Sequence, residues 1–162
     1  MSQIYISVGS NIDKQRYISN ALNALETTFN EVSISSIYES EAVGFKGTNF
    51  YNLVVGAQTS LSLEQVVEAL KRIEQDNDRV RSAAKFSPRT LDLDLLTYDD
   101  IIAEQPAQIP RDEITKNAFV LWPLAEIAPT ERHPVSQLSY QQLWQQYDQQ
   151  KQKLWVVSFN RD

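Results

Sequence analysis

The chain contains no cysteine, which excludes disulfides and thiolate zinc sites, and one histidine, His133, which excludes histidine-rich metal clusters. A metal would therefore be held by oxygen. That favours magnesium, manganese or calcium and directs attention to the 21 acidic residues. No apolar run approaches the roughly 18 residues of a membrane span. The N-terminus has no basic-then-apolar signal region, so the expectation is a soluble, cytoplasmic protein without membrane contact. A formal charge of -6 argues against general nucleic-acid binding. The P-loop pattern G-x-x-x-x-G-K followed by Ser or Thr is also missing.

What is present suffices for one packed domain over residues 1–162, with 42% hydrophobic residues. Ile4 to Val8 reads as a strand that ends at the turn-forming Gly9-Ser10-Asn11. Ile18, Leu22, Leu25 and Phe29 recur at helical spacing, predicting a helix from about Arg16 to Phe29. Val32 to Tyr38 and Tyr51 to Ala57 read as strands joined by a long functional loop, Glu39 to Asn49. Ser62 and Gln65 have capping-box spacing ahead of the stripe Leu63, Val66, Val67, Leu70 and Ile73, the clearest helix in the chain. Asn77 to Arg89 reads as a mobile basic loop, and Leu91 to Tyr98 as a strand. Ile101-Ile102 is a candidate return strand after the Asp99-Asp100 turn. Phe119 to Ala128 forms the next regular segment, followed by a glutamine-rich helix from Leu138 to Gln150 and a closing strand from Leu154 to Phe159. Trp122 and the aromatic positions of that helix are expected to be buried.

The most informative stretch runs from Lys85 to Leu96, KFSPRTLDLDLL. On a strand, Asp92 and Asp94 point one way and Leu91, Leu93 and Leu95 the other. Their Cα atoms should lie about 6.5 to 7 Å apart, within reach of one shared magnesium or two bridged ions. An ordinary amphipathic strand with aspartates in water is the plainer alternative. Against it, aspartate is a poor strand former, and like charges on one face repel unless a cation offsets them. Arg79, Arg81, Lys85 and Arg89 put four cations into eleven residues just upstream. Arginine forks suit phosphate oxygens, so this loop is a candidate cover for a polyphosphate; a solvated charged loop is the alternative.

These residues resemble the hydroxymethyldihydropterin pyrophosphokinases. That family's signature is a basic residue, any residue, Gly or Ala, a small residue or Pro, Arg, two residues, then Asp-x-Asp and aliphatics. Similarity extends in order to Tyr5 to Asn11, Ser35 to Tyr38, Phe50-Tyr51-Asn52, Arg79-Val80-Arg81 and Phe119 to Leu124, covering residues 3 to about 129. The resemblance implies an α/β (α+β) ferredoxin-like sandwich with a mostly antiparallel sheet flanked by helices. It implies two magnesium ions on Asp92 and Asp94, and ATP as co-substrate with its phosphates met by Arg79, Arg81 and Arg89. Phe50 and Phe119 would sandwich a pterin whose polar edge Asn52 is suited to pair, although core packing is the ordinary fate of phenylalanine. Backbone near Ser40 and Val43 would also meet the pterin. Lys71 and Glu74 would face the nucleotide, with solvated surface charge as their alternative. The family reaction is attack of the hydroxymethyl oxygen on the β-phosphorus of ATP, releasing AMP, and no general base stands out.

The sequence departs from the family pattern at Ser87, Phe86 and Asp78, and at Ser40-Glu41-Ala42 where Thr-Pro-Pro is usual. Arg111 stands where a histidine is expected after Pro110, and can replace its phosphate contact. Asn117 stands where a basic residue is expected and supplies no charge. A diverged paralogue, a pterin- or nucleotide-binding module without turnover, and a D-x-D transferase acting on nucleotide sugars are the competing readings. The expected partners are small molecules, and the expected state is a monomer.

Overall fold

The computed structural model describes residues 1–41, 48–79 and 90–162. Alternating apolar residues build strand β1 (Ser2–Ser10), with Ile4, Ile6 and Val8 fully buried on one face. The stripe Ile18, Leu22 and Leu25 lies inward on helix α1 (Lys14–Thr28). Strands β2 (Asn30–Ile34) and β3 (Ile37–Ser40) both pair antiparallel with β4 (Phe50–Thr59). Helix α2 (Leu63–Asp76) starts at the expected capping box: Ser62 Oγ accepts from Gln65 N at 3.2 Å, and Gln65 Oε1 accepts from Ser62 N at 2.9 Å. Strand β5 (Asp92–Tyr98), helices α3 (Glu113–Lys116), α4 (Ala118–Ile127) and α5 (Tyr140–Gln146), and strand β6 (Leu154–Val157) complete the chain.

The strand order β5-β1-β4-β3-β6, antiparallel at every pairing, with α1 and α2 as crossovers, is the expected ferredoxin-like sandwich. Helices α1 and α2 cover one face, where Ile6, Val8, Leu53, Val55, Leu93 and Leu95 form the larger core. The other face, with Tyr5, Val54 and Leu96, packs against Ile114, Val120, Leu121 and Leu124. Trp122 is half-buried, with Tyr38 at 4.7 Å and Trp144 stacked at 5.3 Å between ring centroids, so aromatic contact ties α4 to α5.

Three expectations are corrected. Val32 to Tyr38 is two strands, because Ser35 intervenes: its N–H donates to Val54 O (3.0 Å), while its Oγ accepts from Val54 N (2.9 Å). A side chain has replaced a backbone carbonyl in the ladder and the strand breaks there. Glu126 of α4 then holds the break, accepting from Ser36 N and Oγ and from Tyr38 Oη at 2.6 Å. Ile101 and Ile102 are exposed beyond the Asp99 turn, and the only pairing nearby is an isolated bridge between Ala103 and Ile109 among the described residues. The C-terminal helix covers only Tyr140–Gln146, starting at a second capping box on Ser139 and Gln142. The interiors of the two expected loops, 42–47 and 80–89, lie outside the described residues.

Candidate active site

The pleat decides which side chains share a face. Leu93 and Leu95 enter the core under α1 and α2, so Asp92 and Asp94 stand on the opposite face, as the alternation predicts. Leu96 follows the same alternation onto the α4 side, and the register shift that leaves it bulged, between Tyr5 and Ile6, comes only after both aspartates have been placed. Across the sheet, Asp92 lies beside Gly9, Gly9 beside Asn52, and Asn52 beside Tyr38. Along the strands, Asp94 beside Ser7 lies two residues to one side of that row, and Phe50 beside Ser40 two residues to the other. Two strand spacings, about 10 Å, therefore separate the carboxylate strand from the Asn52 strand.

Between them, position 9 is glycine. A Cβ there would come within 3.0 Å of Asn52 Oδ1. Asn52 is buried, and its Nδ2 donates to Ser40 Oγ at 3.2 Å, which leaves its carbonyl oxygen toward the Gly9 backbone. Phe50 is half-buried at the start of β4, and Phe119 packs from the first turn of α4 against the second core.

Two arginines flank the acidic pair. Arg79 Nη2 lies 3.8 Å from Asp92 Oδ1, and Arg111 Nη2 lies 3.5 Å from Asp94 Oδ1. Arg111 Nε also donates to Glu113 Oε1 at 2.8 Å. Burial alone would lower the guanidinium's pKa, but Asp94 and Glu113 outweigh it and raise it. Burial, then the neighbouring Asp92 charge, pushes Asp94 up to about 7, with Arg111 opposing the shift. Two carboxylates side by side with one held so far above its usual range form a site short of positive charge.

That shortage fits a hard cation. Among the described residues no group of three or more acidic, histidine or cysteine side chains is placed to cage a metal. A carboxylate pair instead suits magnesium, which keeps waters and takes phosphate oxygens from a substrate rather than an all-protein shell. Asp92 and Asp94 are the residues that would hold it.

Glu74 is not the solvated surface charge of its plainer reading. Its side chain is fully buried, not exposed, and accepts from Leu93 N at 2.8 Å. It thereby ties α2 to the outer edge of β5 between the two aspartates. Lys71, one turn earlier, is exposed and pairs with Glu68 at 4.0 Å. Val43, Arg81, Lys85 and Arg89 lie outside the described residues. Asp78 adopts φ 65°, a backbone region where the expected glycine is at ease and aspartate is tolerated. Its carboxylate accepts from Tyr17 Oη at 2.6 Å.

Sequence reasoning missed Glu113 and Gln152. Glu113 sits two residues after Arg111, a spacing with no meaning until the chain turns there; Gln152 carries no local signal at all. Cavity volume does not locate this site: a groove of about 750 Å³ between α1 and α2, lined in part by Ala24, Ala69 and Ile73, lies on the other side of the sheet.

The sequence matches the family model for 7,8-dihydro-6-hydroxymethylpterin-pyrophosphokinase (HPPK) over residues 5–129. It is 36% identical over 138 residues to the 2-amino-4-hydroxy-6-hydroxymethyldihydropteridine pyrophosphokinase of Aquifex aeolicus, spanning 83% of this chain and 86% of that protein. The protein of the same name from Pseudomonas aeruginosa is 34% identical over 139 residues, spanning 83% and 85%. Among solved structures, wild-type Plasmodium falciparum HPPK-DHPS with SDX-DHP is similar with a TM-score of 0.69 at 14% identity, over 91% of this chain and 44% of that one, a likeness of fold. With Asp92, Asp94, Asn52, Phe50 and Phe119 all inside the matched stretch, the chain belongs to the HPPK family.

Proposed function

We propose that this protein is an ATP-dependent diphosphokinase of folate biosynthesis. It moves the pyrophosphoryl group of ATP onto the hydroxymethyl oxygen of 6-hydroxymethyl-7,8-dihydropterin and releases AMP. The observation that carries this reading is the shared sheet face: a carboxylate pair and a buried amide, separated only by Gly9. A flat heterocycle bound at the amide would have its side arm within reach of phosphates gathered at the carboxylates.

Each residue then has a physical task. Phe50 and Phe119 stack on the pterin faces, and Asn52 with the backbone near Ser40 and Val43 reads its polar edge. Asp92 and Asp94 hold two magnesium ions with the ATP phosphates, and those ions supply neutralisation of phosphate charge and alignment of the transferred group. Arg79 and Arg111 flank that charge, and Arg81, Lys85 and Arg89 contact the phosphates from the basic segment. Lys71 reaches the nucleotide from the exposed face of α2. Glu74 acts from beneath, fixing the strand that bears the aspartates. Because phosphoryl transfer proceeds through loose transition states, positioning and charge neutralisation are sufficient work for these groups.

No helix among the described residues is long and apolar enough to cross a membrane. We place the reaction in the cytoplasm, carried out by a monomer on small molecules without nucleic acid. The test is to mix purified protein, ATP, magnesium and hydroxymethyldihydropterin and to measure AMP. AMP and pterin pyrophosphate in equal amounts are expected; pterin binding without AMP would overturn the reading.

A further inference from the structure

The first turn of α4 has no local cap. Asn117 occupies the N-cap position but makes no side-chain bond to the helix, so the early N–H groups need acceptors from elsewhere. Ala118 N finds one 34 residues later, in Gln152 Oε1 at 2.7 Å. Gln152 lies beyond the matched stretch 5–129, in the segment leading to β6.

That bond fixes the sense of a chain of polar contacts. With Oε1 committed to Ala118, Gln152 Nε2 is the group turned to Asn117, and it donates to Asn117 Oδ1 at 3.2 Å. Asn117 Nδ2 is thereby turned to Glu113 and donates to Oε2 at 3.0 Å. Glu113 Oε1 remains for Arg111 Nε at 2.8 Å, and Arg111 Nη2 reaches Asp94 at 3.5 Å. Each carboxamide has one orientation that satisfies both neighbours, and Ala118 N–H decides which. Asn117, which brings no charge of its own, serves as the donor that keeps Glu113 turned toward Arg111.

We propose that Gln152 is a positioning residue which, through Asn117 and Glu113, sets how Arg111 presents its guanidinium beside Asp94. This rests on the reading of Arg111 as a phosphate contact in the proposed reaction. The C-terminal segment then contributes to nucleotide binding without touching the nucleotide.

The test is a pair of variants and their combination. Gln152→Glu keeps an acceptor for Ala118 N but removes the donor to Asn117. Asn117 satisfies the new carboxylate only by turning its amide over, which sets its oxygen against Glu113. Glu113→Gln alone sets an NH2 group against Asn117 Nδ2. Together the two re-form every link with the amides reversed and leave the net charge unchanged.

Calorimetric titration with α,β-methylene-ATP and magnesium should show each single variant binding about tenfold more weakly, the worth of a lost charge-assisted hydrogen bond. The double variant should return to within about threefold of the parent, since the pair is coupled. Hydroxymethylpterin affinity should stay unchanged in Gln152→Glu, because the α4 cap before Phe119 is kept. Multiplying losses in the double variant, parent-like nucleotide affinity in the singles, or equal loss for pterin and nucleotide would each overturn the proposal. If Gln152→Glu does not fold, Gln152→Leu replaces it, with weaker nucleotide binding expected and parent-like binding overturning. A parent that binds the analogue but forms no AMP would fail as a pyrophosphokinase while leaving this coupling measurable.

Discussion

Gly9 and Asn52 are cross-strand partners, and the Asn52 carboxamide oxygen fills the space a side chain at position 9 would need. Gly9→Ala should therefore displace Asn52 by a few tenths of an ångström without disturbing either core. The expected result is pterin affinity reduced by about tenfold, one well-placed hydrogen bond, read by fluorescence titration. Nucleotide affinity should be unaffected.

Asp94 predicts an unusual pH dependence. Its pKa rises from 3.8 to about 7 on folding, so the folded state holds its proton more tightly than the unfolded chain. This contribution is fully present below the unfolded value and is lost as pH rises through about 7. Without divalent cations, Asp94→Asn should melt above the parent at pH 8 and close to it at pH 4. Magnesium at pH 8 should raise the parent's melting temperature and leave the variant's nearly unchanged. Parallel melting curves at both pH values would contradict the assignment.

For turnover, Asp92→Asn and Asp94→Asn should each lower kcat by at least about a hundredfold, the usual scale for losing a group that offsets transition-state charge. Both should keep the parent's circular dichroism, because neither carboxylate belongs to the apolar face of β5. AMP release at the parent's rate would remove these residues from the chemistry.

Glu74→Ala should act on stability first. Leu93 N would lose its acceptor inside the protein, costing about 1 to 3 kcal/mol, or roughly 2 to 12 °C in melting temperature for a domain of this size. Glu74→Gln keeps an acceptor for Leu93 N, and should recover most of that loss in the same thermal scan.

Local patterns in the sequence reach as far as the elements and the faces they present. The alternation of Leu91, Leu93 and Leu95 with Asp92 and Asp94 suffices to put both carboxylates on one side, and Ser62 with Gln65 marks the start of α2. Two consecutive serines were the available sign that Val32 to Tyr38 would break, but the cause, the Val54 backbone, is supplied by a strand formed later in the chain. Glu74 reads as a charged helix end because nothing local announces that β5 will present an unpaired N–H there. The contact of Arg111 with Asp94, and of Gln152 with Ala118, are products of tertiary folding between distant segments. Family resemblance supplied roles for Phe50 and Phe119 that stacking physics permits but periodicity alone does not select.

The division of the sheet into two faces has a consequence for how this protein tolerates change. Its larger apolar cluster lies beneath α1 and α2, while Asp92, Asp94 and Asn52 occupy the reverse side of the same strands. Drift in the inward residues of those two helices should register as altered shelf life and expression yield. Ligand preference would be untouched until a strand itself shifts.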